Sequence, residues 1–156
     1  MISNVINGQI AEALRAKDEV RLSTLRLLSS ALHNAKIDKR GELSGAEELV
    51  VVKKEAKKRQ DAIEAIRHAR GKPTSSDPKS LEEKLDKEKK ELAVLKEFLP
   101  EEMSDEKLAK LVEENIKKAG AKEMKDMGKV IGMVMKEASG RADGAKVAEL
   151  AKKKLT

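Results

Sequence analysis

Cysteine is absent from all 156 residues, which removes disulfides, thiolate metal sites and cysteine nucleophiles from consideration. Trp and Tyr are absent too, and Phe98 is the sole aromatic residue. Stacking of nucleic-acid bases on aromatic rings is therefore nearly excluded. No apolar run approaches the roughly 20 residues of a membrane-spanning helix. The opening residues Met1, Ile2, Ser3 and Asn4 have neither the charged nor the apolar region of a signal peptide. These absences lead to the expectation of a soluble, cytoplasmic protein with no membrane partner.

What is present is charge and aliphatic bulk. Asp, Glu, Lys and Arg make up 40% of the chain, and the apolar set is almost entirely Ala, Leu, Val, Ile and Met. Those are mostly helix formers, and they recur with helical spacing, so an all-α fold with a thin aliphatic core is expected. The net charge is +6, with the largest excess in residues 122–156, where nine basic groups face five acidic ones. A polyanion partner accounts for that excess; lysines that only keep a helical surface solvated account for it as well.

Taken in order, the first helix covers residues 3–16, with Ile2, Ile6, Ile10, Ala13 and Leu14 on one stripe. Asp18 is placed to cap a second helix running to about residue 38, whose inner face is Leu22, Leu25, Leu28, Leu32 and Ala35. A turn at Gly41 follows. Ser44 and Glu47 form a capping box for a third helix with Leu49, Val52, Ala56, Ile63 and Ile66 inside, ending near Gly71. Residues 71–79 read as a loop, and Ser80 with Glu83 as a second capping box for a helix that Pro100 stops. Shorter elements follow: a helix capped by Ser104, one over 126–138, a turn at 140–144, and a last helix capped by Asp143. This gives an N-terminal bundle of four longer helices over 1–99 and a three-helix domain over 100–156.

No catalytic site stands out. His33 and His68 are the only histidines, and neither has a second ligand at metal spacing. The serine pairs lack the strand-to-helix setting of a nucleophile elbow. There is no phosphate-cradling glycine loop, and the carboxylates alternate with lysines as solvated pairs. No cofactor and no metal are expected. Two places invite a partner. One is the basic face Lys54, Lys57, Lys58 and Arg59. The other is residues 125–144, where Gly128 and Gly132 sit four apart inside a helical pattern. A glycine costs about 1 kcal/mol in a helix interior, so a bare flank there calls for close approach by a neighbouring helix or a nucleic-acid backbone. Lys125 and Lys129 rim its start. Gly140 and Gly144 would permit a tight turn that presents Arg141 outward, with Lys146 just beyond.

The run Lys125 to Gly132, followed by Gly140, Arg141, Ala142, Asp143 and Gly144, is similar to the C-terminal signature of the YqeY family of GatB/YqeY domain proteins. Lys17, Asp18, Arg21, Leu25, Arg26, Asn34, Lys54, Glu55, Lys57, Lys58, Arg59, Asp61, Phe98, Leu99 and Pro100 agree with it. Lys136 departs, since the family usually has proline there, and residues 68–79 look longer and more loop-like. The resemblance implies a two-part helical fold, the second part similar to the tail of the GatB subunit of a glutamine-dependent tRNA amidotransferase. In that enzyme the tail helps to hold tRNA. It implies tRNA or another structured RNA as partner, with amidotransferase subunits or another protein as further partners. The carbon–nitrogen ligase activity with glutamine as amido-N-donor often assigned to the family is a second implied function. A helical adaptor whose glycine flank receives a partner helix is a third reading.

Overall fold

The computed structural model describes residues 1–70, 77–139 and 141–155. Its described residues form seven α-helices: α1 (Ile2–Arg15), α2 (Glu19–Lys39), α3 (Gly45–Ala69), α4 (Pro78–Lys96), α5 (Asp105–Ala119), α6 (Met127–Ala138) and α7 (Gly144–Leu155). A single 3-10 turn, Met124–Asp126, leads into α6. The fold is all-α, as the aliphatic periodicity requires. The helices fall into two compact units, Met1–Leu99 and Pro100–Thr156.

In the first unit α3 packs along α4, α1 along α2, and α2 against α4. The expected stripes meet there: Ile6, Ala13, Leu25, Leu28, Leu32, Val52, Ala56 and Leu95 are buried together, with Leu43 and Val94. Phe98 and Leu99 pack against the same core. Leu14 is the exception, being 56% exposed in the last turn of α1. The second unit is lined with smaller side chains. Leu108, Val112, Val130, Val134, Val147 and Ala151 are buried, and Leu111, Met127, Ile131 and Met135 pack over them.

Helix starts follow side-chain capping. Asp18 accepts from the Arg21 N–H at 3.0 Å. Ser44 and Glu47 form their reciprocal box, Ser104 caps α5, and Asp143 accepts from the Ala145 N–H at 2.9 Å. The second box is not formed. Helix α4 starts at Pro78, with Asp77 as its N-cap and Ser80 already inside the first turn. Proline is preorganised for the first helical position and has no N–H to leave unpaired there, so the start moves ahead of Ser80. The other end of α4 stops at Lys96, short of Pro100, because the Phe98 and Leu99 N–H groups turn to the carbonyls of Leu95 and Lys96. Helix α3 ends at Ala69; the expected glycine stop, Gly71, lies outside the described residues.

One cap was invisible to local pattern. Helix α1 has no side-chain cap of its own and no acid in its first turn. The carboxylate of Glu48, on α3 and fully buried, supplies it. The Ile2 N–H donates to it at 2.6 Å and the Ser3 N–H at 3.3 Å, and the Ser3 hydroxyl donates as well. Burial pushes the Glu48 carboxyl up, but the three hydrogen bonds outweigh burial and hold it below the usual carboxylate range.

Candidate nucleic-acid interface

Helix α6 places most of the second unit's expected residues. Its entry is fixed by Asp126, which accepts from the backbone N–H groups of Lys122 and Glu123 at 3.2 and 3.3 Å. Those two bonds, ahead of the neighbouring charges of Lys125 and Lys129, hold Asp126 below its ordinary range. At the far end Asn115, buried on α5, donates to Glu137 at 3.1 Å and to the Leu111 carbonyl at 2.9 Å. Lys118 pairs with Glu137 at 3.0 Å. Helix α6 is thus tied to α5 by polar contacts as well as by its apolar face.

With Val130, Val134 and Ala138 buried, the 3.6-residue period turns Gly128, Lys129, Gly132 and Lys136 outward together, and all four are exposed. A Cβ built on Gly128 or Gly132 meets nothing within 4 Å. The bare flank is therefore open among the described residues. Neither Lys129 nor Lys136 has a carboxylate of the described residues within ion-pair distance. Lys136 was not a site candidate on sequence. Its position one turn beyond Gly132 on the same face was the available signal.

The remaining expected residues divide. Lys125 is exposed and pairs with Glu123 at 2.9 Å. Lys146 leans toward Asp105, on the first turn of α5, at 3.8 Å. Arg141 has its backbone fully engaged, its N–H donating to the Ala138 carbonyl at 2.9 Å and its carbonyl accepting from Met103 at 2.8 Å, while its side chain is exposed. Of the two expected turn glycines only Gly144 is among the described residues, and it does not take a left-handed conformation. Ser139 takes the left-handed conformation, φ 47°; Gly144 is the first residue of α7 and a methyl there would only touch Met135 at 4.0 Å. Gly140 lies outside the described residues.

On α3, Lys54 and Lys57 are exposed with no described carboxylate in reach, and Lys58 pairs with Glu55 at 2.5 Å. Arg59 does not join them. Its guanidinium turns into the α3–α4 contact, with Nε 2.9 Å from Glu91 and Nη1 3.6 Å from Glu88. Glu91 is buried, and the Arg59 N–H is not aimed along a hydrogen bond, so the attraction is Coulombic. No group of three or more histidine, aspartate or glutamate side chains among the described residues is arranged to hold a metal ion. Among them, no helix is long and apolar enough to cross a membrane.

Two compact helical units with unpaired cations on exposed helix faces define an all-α protein. The model of the family described as Yqey-like protein matches residues 3–155, and the chain belongs to that family. No curated protein matches it.

Proposed function

We propose that the chain is a structured-RNA-binding accessory protein, tRNA being the RNA class the resemblance implies, and that it grips the sugar–phosphate backbone through the outward face of α6. The observation that carries this is the open flank at Gly128 and Gly132, rimmed by the unpaired ammonium groups of Lys129 and Lys136. Two glycines in one 12-residue helix cost about 1 kcal/mol each, and none of the described residues comes within 4 Å of a Cβ placed at either. A smooth floor between lysines admits a phosphate chain closely. Lys125 and Arg141 extend the basic rim; the surface pair holding Lys125 is worth about 0–1 kcal/mol and exchanges readily for a phosphate. With one aromatic in the chain, recognition goes by backbone and shape.

Binding of tRNA by the purified chain tests this. With four cations engaged, log K should fall against log salt with a slope of about −3 to −4. Lys129→Ala should reduce that slope by about one. Lys129→Glu with Arg141→Glu should abolish binding at low salt while the helical circular dichroism is unchanged. Gly132→Leu, whose Cβ meets none of the described residues within 4 Å, should weaken binding without unfolding. Undetectable or salt-insensitive tRNA binding ends this reading.

A further inference from the structure

The exposed side of α2 is laid out as its own complement. From Ser23 to Asp38 its exposed positions carry two formal charges, Arg26 and Asp38, with histidine counted as neutral. The chain as a whole is 40% charged, and the outward face of α3 over a similar length holds Lys54, Lys57, Lys58, Asp61 and Glu64. Between the two charges Leu27 and Ile37 stand 52% and 59% exposed, and between those lie the exposed Ser30 and Asn34. Each of the three pairs, Arg26 with Asp38, Leu27 with Ile37 and Ser30 with Asn34, is centred on position 32. Neither Arg26 nor Asp38 has an oppositely charged partner among the described residues. A shallow, largely apolar hollow of about 420 Å³ lies toward one end of the face, walled in part by Ser23, Arg26, Leu27 and Ser30.

We propose that α2 pairs with α2 of a second copy of the chain, antiparallel and two-fold symmetric about position 32. A two-fold interface requires one patch to complement itself. In this register Arg26 of each copy meets Asp38 of the other, Leu27 meets Ile37, and Ser30 meets Asn34. Each charge faces its opposite on both sides of the axis, and no like charges are opposed. Ile37 of one copy comes to the hollow beside Leu27 of the other. Arg26 and Asp38 lie on opposite flanks of the face, and the arginine stem crosses it over apolar side chains to bring the guanidinium to the carboxylate. The competing arrangements leave groups unmatched. Parallel copies set Arg26 against Arg26 and Asp38 against Asp38. The antiparallel register that pairs Arg26 with Glu19 sets Leu27 against Asp18 and leaves Ile37 uncovered. RNA is disfavoured, since one cation balanced by an acid, with no aromatic ring, holds a nucleic acid poorly. A helix of another protein would have to repeat this order of charged and apolar residues, which a second copy carries by construction. The face is one helix side of about 20 Å, a small interface, so the pair is weak and its population depends on concentration.

Charge reversal in the full chain tests both the pairing and its register. Sedimentation equilibrium of the wild type from about 10 μM to about 1 mM should show a monomer passing to a dimer. Arg26→Asp alone and Asp38→Arg alone should each weaken association at least tenfold, because each opposes like charges across the axis. An equimolar mixture of the two variants should associate as the wild type does, since each copy then brings the sign the other lacks. The absence of cysteine allows a second reading of the register. Chains carrying Ser30→Cys, mixed with isotopically labelled chains carrying Asn34→Cys and oxidised, should form the mixed disulfide in preference to either like one. In cells, the photocrosslinker p-benzoylphenylalanine in place of Leu27 should join the Ile37 segment of a second, isotopically distinct copy. A chain that stays monomeric to about 1 mM overturns the proposal, as does a dimer indifferent to either reversal or a mixture that does not recover association. Random disulfides, or adducts confined to RNA or to another protein, overturn it as well.

Discussion

Arg40, Lys17 and Ser139 occupy the left-handed backbone region, with φ of 57°, 55° and 47°. That conformation costs an L-residue about 1–2 kcal/mol, and helix ends usually place glycine there. At α2 the Gly41 N–H reaches the Lys36 carbonyl at 3.2 Å and the Arg40 N–H the Ile37 carbonyl at 3.0 Å, so the reversal falls on Arg40 and Gly41 is one residue late. Arg40→Gly should therefore stabilise the first unit by about 1 kcal/mol in urea titration; no gain would mean that the exposed Arg40 side chain contributes more than its backbone costs. The sequence shows that the chain turns between Lys39 and Ser44. It does not show which residue takes the positive φ, because that is decided by where hydrogen bonding of the last turn ends. Arg59 teaches the same lesson about side chains. It lies next to Lys57 and Lys58, yet it points to Glu91, 32 residues on, and periodicity carries no information about an acid on another helix. Arg59→Ala should cost about 3 kcal/mol, since it leaves the buried Glu91 with only the longer 3.9 Å contact to Lys87. Lys57→Ala should change stability by less than about 0.5 kcal/mol. Comparable losses from both would show that the α3–α4 pair is not structural.

At the scale of elements, what was legible was what local chemistry decides. Asp18, Ser44, Ser104 and Asp143 cap their helices, and the stripes at Leu25, Leu28 and Leu32 or at Val130 and Val134 are buried, since both features depend on residues within one or two turns. The long-range tie of α1 was not legible. Glu48 sits on the third helix next to Glu47, a residue already committed to the Ser44 box, and nothing in its neighbourhood points 46 residues back. The open flank of α6 was half legible: the glycines were visible in the sequence, but only the packing shows that no described residue comes within 4 Å of a Cβ at either. Glu48→Gln keeps the volume and loses the charge, so the Ile2 and Ser3 N–H groups would face a weaker acceptor or an amide. A loss of about 2 kcal/mol is expected from charged to neutral hydrogen bonding. Amide hydrogen exchange should localise it, with protection falling across α1 first and α4 little affected. Uniform loss across the first unit would instead place Glu48 in the global core.

Over the whole molecule the carboxylates that hold helices together share one sign. Glu47, Glu48 and Glu97 in the first unit and Glu113, Asp126, Glu137 and Glu149 in the second all titrate below their ordinary range. The causes are local. Lys39 and the Ser44 box hold Glu47 down to about 2, and the two-pronged contact of Arg21 with Glu97, at 2.8 and 2.9 Å, holds Glu97 down. A depressed folded pKa means that the unfolded chain binds protons first as pH falls. The stability these groups contribute is complete above the unfolded carboxylate pKa near 4 and is lost as pH drops through the folded values. Stability should then be flat from pH 7 to about 5 and decline steeply from about 5 toward 2. Both units carry such groups, so both should weaken in that window, the first retaining its Glu47 contribution to the lowest pH. Because most of these carboxylates are exposed partners of lysine, raising the salt should shrink the decline. The part that survives high salt should be that of Asp126 and Glu48, whose leading partners are backbone N–H groups and, for Glu48, a hydroxyl rather than a lysine. Urea midpoints measured between pH 2 and 7 at low and high salt, for the wild type and for Glu48→Gln, separate the two. If the residual acid sensitivity at high salt is the same in both proteins, the buried cap of α1 is not a source of it.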